Sequence, residues 1–195
     1  MPIIEMVNLK KNIVRTKDLV VNGVPLVLDK NICNLINCYI YSLGVLYNGT
    51  KQINFNPGFT EGLIYWGSSS EELLNNVIID LKNLDISFRQ FGLNDEKKLK
   101  KNEYLIKVFY APPNEFFRYG DFHFMRQDPK TDNWFHKIGQ NNQPEVLQYA
   151  FNFTSPFLSE EPNIVTSYTP EGFCYELNPV GYFAITEPKF KKRKI

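Results

Sequence analysis

Cysteine and histidine are scarce in this sequence, which narrows where catalytic chemistry can occur. Only 3 of its 195 residues are cysteines and only 2 are histidines. Cys33, Cys38 and Cys174 are too few and too scattered for a disulfide framework or a Cys-x-x-Cys metal site. We therefore expect reduced thiols in a cytoplasmic protein, with no resident metal and no other cofactor.

Strong net charge and long apolar runs are missing as well. The formal net charge is +1, so no overall field favours nucleic acid as a partner. No apolar run approaches the roughly 18 residues of a membrane span, and the start lacks the pattern of a secretory signal. The one local charge run predicts a solvated basic tail at 189–195, with a nuclear-localisation or polyanion-binding signal as the alternative.

Apolar material is abundant, and its pattern predicts the fold class. With 43% hydrophobic and 15% aromatic residues, the chain can build one substantial core. We expect one α+β domain over 1–188, with its core at 31–185. Short extended segments are predicted over 3–30, and the proline-spaced part after Gly139 is expected to be mostly irregular. The predicted regular elements are helices starting near Asn37 and Ser69 and strands at 104–110, 121–127, 132–138 and 178–185.

The first predicted helix carries a cysteine in its first turn. Asn37 is a suitable N-cap, and Asn48-Gly49 a suitable end. Unpaired backbone N–H groups and the positive end of the helix dipole favour thiolate at Cys38. The alternative is that Cys38 is a small buried apolar residue.

Both histidines lie in one predicted hairpin. Asp128–Thr131 has the residues of a type I turn, with Asp first and Pro second. A four-residue loop places His123 directly opposite His136, on the same face of the pair. A loop of six residues also keeps them on one face, whereas a loop of five separates them.

Four segments resemble a known family. They are Asn37 to Gly44, Asp121 to Gln127, Trp134 to Gly139 and Val180 to Phe183. In this order they are similar to papain-like cysteine hydrolases of the NlpC/P60 type. They are closest to a little-characterised group of phage, bacterial and viral proteins with segments N-C-Y-x-Y-x-L-G, D-Y-H-x-Y-R-Q, W-x-H-K-x-G and V-G-Y-F. Met125 replaces an expected aromatic residue, and Ile138 an expected proline.

The resemblance implies a papain-like domain in which the cysteine-bearing helix packs on an antiparallel sheet. It also implies that Cys38 is the nucleophile, His123 the general base and His136 the group that orients His123. The expected reaction is acyl transfer from a peptide or other amide substrate. The Cys38 backbone N–H is the first candidate oxyanion donor because of its helix position, and Asn34 and Asn37 are candidates for the second.

Three other functions remain open from the residues alone. Cys38, His123 and His136 could hold zinc with an open fourth position. The chain could be an inactive papain-like binding module that uses aromatic side chains, although core packing is the simpler role for them. It could also be a cysteine-dependent acyltransferase, which shares its acyl-enzyme with a hydrolase. The aromatic residues in question are Phe116, Phe117, Tyr119, Phe122, Phe124 and Trp134.

Overall fold

The computed structural model describes residues 12–15, 20–21, 24–25, 36–47, 49, 55–63, 67–115, 119–137, 161–168 and 174–187. Cys33, Asn34 and the basic tail therefore lie outside the described residues. Two α-helices are described, α1 (Cys38–Ser42) and α2 (Ser70–Asn83). The strands are β1 (Ile13–Arg15), β2 (Val20–Val21), β3 (Val24–Pro25), β4 (Val45–Tyr47), β5 (Phe88–Phe91), β6 (Glu103–Ala111), β7 (Asp121–Gln127), β8 (Trp134–Phe135), β9 (Val165–Tyr168) and β10 (Cys174–Thr186).

A six-stranded sheet organises the described part of the chain. Its order is β5-β10-β6-β7-β8, with β9 paired to the first part of β10, and every pairing is antiparallel. Two further pairs, β1 with β4 and β2 with β3, form small separate sheets. The chain is thus mixed α+β with a mostly antiparallel sheet. Within the described residues, no helix is long and apolar enough to cross a membrane.

The central strand β6 is buried along its whole length because both faces of the sheet are covered. Side chains alternate between faces. Tyr104, Ile106 and Val108 join a cluster that includes apolar residues of both helices. Leu105 and Phe109 join a second cluster. We call these the helix-side cluster and the far-side cluster.

The second helix begins as the sequence predicts. Ser69 is the N-cap, and its side chain accepts a hydrogen bond from the Glu72 backbone N–H at 3.0 Å. Leu73, Val77 and Leu81 recur at helical spacing and are buried. This face packs into the helix-side cluster.

The first helix is shorter than predicted. It ends at Ser42 instead of continuing to Tyr47, because Gly44 has a φ of 66° and reverses the chain direction. Residues Val45–Tyr47 then form a strand that pairs with Ile13–Arg15. The aromatic and β-branched residues of this stretch favour a strand once the glycine has broken the helix.

The last strand is longer than predicted. It runs over Cys174–Thr186 instead of 178–185, with a register shift between Pro179 and Gly181. Proline has no N–H to donate to the ladder, and a bulge accommodates it. The far end of this strand lies beside β5 and β6, and its start beside β9.

Candidate active site

The start of α1 is fixed by the side chain of Asn37. Its Oδ1 accepts from the Ile40 N–H at 3.1 Å, so the predicted N-cap is confirmed. Its Nδ2 donates to the Phe55 carbonyl at 2.9 Å. Cys38 is thereby the first residue of the helix. Because Asn37 uses both ends of its amide in this way, the side chain holds the helix start in place.

A buried carboxylate on α2 also stabilises the start of α1. Asp80 is fully buried, and its oxygens accept from the Tyr39 hydroxyl at 2.9 Å and the Gly58 N–H at 2.7 Å. They also accept from the Thr60 N–H at 2.9 Å and the Thr60 hydroxyl at 2.6 Å. Burial raises the pKa of Asp80, while these hydrogen bonds oppose the rise. Asp80 therefore ties the residue after Cys38 to the 55–63 segment, which supplies the Phe55 carbonyl.

Sequence reasoning missed Asp80, although a signal was present. Asp80 is seven residues after Leu73 and one before Leu81, so helical spacing places an acidic residue on the apolar face of α2. A carboxylate on such a face is rare unless it is hydrogen-bonded.

The two histidines are in direct contact. The distance from His123 Nε2 to His136 Nδ1 is 2.6 Å, and the ring planes are nearly perpendicular at 84°. Both side chains are buried. His123 lies in β7, and His136 immediately follows β8. The predicted neighbourhood of the two imidazoles is therefore confirmed.

The predicted register is wrong by two residues. Gln127 pairs with Trp134, so six residues separate the strands instead of four. Asp128 N–H donates to the Asn133 carbonyl at 2.8 Å, and Asp132 adopts a left-handed φ of 58°. This register makes the histidines diagonal neighbours. Because side chains alternate with a period of two, the shift leaves both on the same face.

Both histidines are neutral at neutral pH. Burial lowers the pKa of His123 to about 4. Burial, and then the charge of His123, lower the pKa of His136 well below its ordinary value. Neutral imidazole has one donor and one acceptor nitrogen, so one histidine donates to the other.

The Cys38 thiol is protonated, contrary to the expectation for a helix start. Only 5% of the residue is exposed, and burial raises the pKa of the thiol to about 12. Backbone hydrogen bonds from Phe124 and Tyr39 lower the pKa, but burial outweighs them. The nearby charge of Asp121 raises it further, and that of Lys137 lowers it. The helix has five residues, so it supplies only a small dipole.

Cys38 and His123 approach β7 from different sides. Cys38 belongs to the helix-side cluster together with Phe124. His123 pairs with Phe109, which belongs to the far-side cluster. The hydrogen bond from the Phe124 backbone N–H brings the thiol to the strand backbone one residue beyond His123. The structure therefore joins the two histidines directly, and it places the Cys38 thiol against the strand on the other face from the His123 side chain.

The structure also bears on the predicted zinc alternative and on the predicted roles of the aromatic residues. Among the described residues, no group of three or more His, Cys, Asp or Glu side chains is placed to hold a metal ion, so the zinc alternative gains no support. Phe124 and Trp134 are buried in the two clusters, which confirms core packing for them. Tyr119 is exposed. Phe116 and Phe117 lie outside the described residues.

The raised pKa of Cys38 predicts slow alkylation. Against an ordinary value of 9.0, a pKa of about 12 leaves about 10³-fold less thiolate at pH 7. We expect iodoacetamide to label Cys38 at least about 100-fold more slowly than exposed Cys174, with a rate that still rises above pH 9. Mass spectrometry of peptides from native protein at pH 6 to 10 measures both rates, and urea-unfolded protein is the control. Faster labelling of Cys38 than of Cys174 at pH 7 would contradict the raised pKa.

Comparisons with known proteins leave the chain without an assigned relative: it matches no protein-family model, no curated protein and no solved structure.

Proposed function

We propose that the protein is a papain-like cysteine hydrolase of the NlpC/P60 type, which cleaves a peptide or other amide bond through an acyl-enzyme. Cys38 is the nucleophile, His123 the general base and His136 the orienting group. The observation that carries the proposal is the hydrogen bond of 2.6 Å between His123 Nε2 and His136 Nδ1. A base held by a third polar group is the recurring arrangement of nucleophilic hydrolases.

The hydrogen bond between the histidines limits the proton route that this proposal can use. Nε2 of His123 is engaged by His136, so the proposal assigns the proton exchange with Cys38 to Nδ1, and it requires the thiol to meet this nitrogen during the reaction although the two side chains approach β7 from different sides. For Nδ1 to accept, the ring proton of His123 must be on Nε2 and be donated to His136 Nδ1. His136 then keeps its own proton on Nε2. When His123 becomes cationic, His136 Nδ1 stabilises it as an acceptor.

The pKa values favour general-base catalysis over a resting ion pair. A thiol with a pKa of about 12 and an imidazole with a pKa of about 4 both stay neutral at neutral pH. The proton therefore moves to His123 as the Cys38 sulfur attacks the carbonyl carbon. His123 next gives the proton to the leaving amine as the C–N bond breaks. Water, deprotonated by His123, then hydrolyses the thioester.

The oxyanion formed during attack needs at least one donor. The Cys38 backbone N–H is the first in this proposal, because it lies at the helix start. Asn37 holds that start through Phe55 and Ile40. Asn34 and Asn37 remain the candidates for the second oxyanion donor, and the Asn37 side chain already donates to the Phe55 carbonyl.

An activated ester tests the proposal without knowledge of the natural substrate. With p-nitrophenyl acetate, we expect a burst of nitrophenol and a mass increase of one acetyl group on Cys38. Cys38→Ala should abolish both, whereas Cys174→Ala should retain them. Acetyl distributed equally over the cysteines, or a burst that persists in Cys38→Ala, would overturn the proposal. Adding an amine acceptor to the same assay separates a hydrolase from an acyltransferase, since only the latter transfers the acetyl group to the amine.

A catalytically inactive binding module is the second candidate. The burial of Cys38 favours it, because 5% exposure and a raised pKa are typical of a structural cysteine. This alternative predicts no burst and no acetyl-Cys38 in the ester experiment.

A further inference from the structure

A fully buried lysine lies on the face of β7 that Cys38 approaches. This residue is Lys137. The chain after β8 continues beside β7, as the contact between the two histidines shows. Carrying the register of the β7–β8 pair two residues beyond Phe135 places Lys137 directly opposite Phe124. Cross-strand partners share a face of the sheet, and Phe124 belongs to the helix-side cluster, so Lys137 lies on the helix side.

Phe124 also connects this lysine to the thiol. Its backbone N–H donates a hydrogen bond to the Cys38 sulfur, so the thiol and Lys137 meet β7 at the same residue. The charge of Lys137 accordingly lowers the pKa of Cys38, although burial outweighs this effect. Both residues are buried, so water screens the attraction between ammonium and thiolate only weakly.

His123 does not provide a positive charge to the thiol in the resting protein. A thiolate is stabilised by a neighbouring cation or by a helix start. Burial lowers the pKa of His123 to about 4, so its imidazole is neutral at neutral pH. Its side chain also lies on the far side of β7. The five-residue helix supplies only a small dipole. Lys137 is thus the cation that the structure places on the same side as the thiol.

Asp121 acts on the thiol in the opposite sense, since its charge raises the pKa of Cys38. The carboxylate accepts hydrogen bonds from the Tyr175 hydroxyl at 2.5 Å and from the Phe122 N–H at 2.8 Å. Burial raises the pKa of Asp121 itself, and these hydrogen bonds oppose the rise. The thiol therefore lies within the influence of one buried cation and one half-buried anion. Neutralising either one should change its reactivity, in opposite directions.

We propose that Lys137 is the counter-ion of the Cys38 sulfur, and that its buried ammonium stabilises the negative charge on sulfur when the thiol loses its proton. Lys137 exchanges no proton and forms no covalent bond. The Cys38 proton goes to solvent during alkylation and to His123 in the proposed hydrolase. Lys137 is a positioning residue that acts on a substrate only through Cys38. Its use in catalysis rests on the proposed function, whereas its effect on the thiol does not.

Alkylation of the native protein by iodoacetamide at about pH 9 tests the proposal, because this reagent is uncharged. This pH lies well below the Cys38 pKa of about 12, so the labelling rate is proportional to the thiolate population. A neighbouring charge shifts a pKa by roughly one unit or more, so Lys137→Met should slow the labelling of Cys38 about ten-fold. Asp121→Asn keeps an oxygen for Tyr175 and should speed it about ten-fold. Lys130→Met, which removes an exposed lysine from the hairpin loop, should leave the rate unchanged.

The direction of the change separates a charge effect from a loss of folding stability. A destabilised variant exposes Cys38 more often and is therefore labelled faster. Slower labelling in Lys137→Met is the opposite of what loosened packing produces. Unchanged or faster labelling in Lys137→Met, or equal slowing in Lys130→Met, would overturn the proposal.

Acylation by p-nitrophenyl acetate distinguishes the failure of this proposal from the failure of the proposed function. If both hold, Lys137→Met should lower the rate of acetyl-Cys38 formation by about three-fold or more, because sulfur carries part of the negative charge while His123 takes the proton. Slower alkylation in Lys137→Met without any acetyl-Cys38 in the wild type would support the counter-ion and exclude the hydrolase. Acylation by the wild type, with neither rate changed in Lys137→Met, would support the hydrolase and exclude the counter-ion.

Discussion

His123→Ala lowers the rate of Cys38 acylation by p-nitrophenyl acetate by about 10²- to 10⁴-fold, the range that a positioned general base contributes. The loss is large because the thiol, with a pKa of about 12, is protonated and needs a base during attack. His123→Gln should be equally slow, since an amide fills the site but cannot take a proton. The measurement is acetyl-Cys38 formation over time by mass spectrometry. A loss of less than about three-fold would exclude His123 as the base.

The pH dependence gives the same prediction a second readout. The pKa of His123 is lowered to about 4, below the ordinary 6.5, so its neutral form persists as the pH falls. Acylation by the wild type should therefore stay level from pH 8 down to about pH 5. In His123→Ala the rate should follow the thiolate and rise about ten-fold per pH unit. A wild-type profile that follows the thiolate in the same way would contradict general-base catalysis.

Variants of His136 distinguish an orienting role of this residue from a packing role. His136→Ala removes the acceptor for His123 Nε2–H and should lower the acylation rate, whereas His136→Gln offers an amide oxygen and should restore part of it. A rate within a few-fold of wild type in His136→Ala would make His136 a packing residue only.

Local sequence signals predicted the element starts well. Asn37 and Ser69 both cap helices through their side chains, because a capping interaction spans only three residues. Aromatic and β-branched runs predict strands at 104–110 and 121–127, and the structure has β6 and β7 there. The pairing of the two histidines on one face followed from the period of two along a strand.

The length of the hairpin loop, two short strands and the pKa of Cys38 could not be predicted from local sequence patterns. The hairpin loop has six residues, and within it Asp132 adopts a left-handed conformation that the turn pattern does not indicate. β5 and β9 are short and gain their hydrogen bonds from β10, more than 80 residues away for β5. The raised pKa of Cys38 arises from packing around the helix start, whereas the sequence shows only that start. At Cys38, burial by the surrounding fold outweighs the local preference of a helix start for thiolate.

The second large expected effect is a loss of folding stability when the buried carboxylate of Asp80 is removed. Asp80→Ala should lower the free energy of unfolding by about 3 to 5 kcal/mol, because buried donors lose their acceptor and each unsatisfied group costs about 1 to 3 kcal/mol. Those donors are the Tyr39 hydroxyl, the Gly58 N–H and the N–H and hydroxyl of Thr60. Urea unfolding measures the change. Glu71→Ala, which removes an exposed carboxylate from the same helix, should stay within about 1 kcal/mol of wild type.

Asp80 should also control access to the thiol. Tyr39 follows Cys38 and is held by Asp80, so losing the carboxylate loosens the turn that buries the sulfur. In Asp80→Ala at a urea concentration where the protein is still folded, iodoacetamide should label Cys38 at least about ten-fold faster than in wild type, with Cys174 unchanged. Labelling that is unchanged at Cys38 despite a loss of stability would mean that Asp80 stabilises the 55–63 segment alone, and that Asn37 suffices to hold the start of α1.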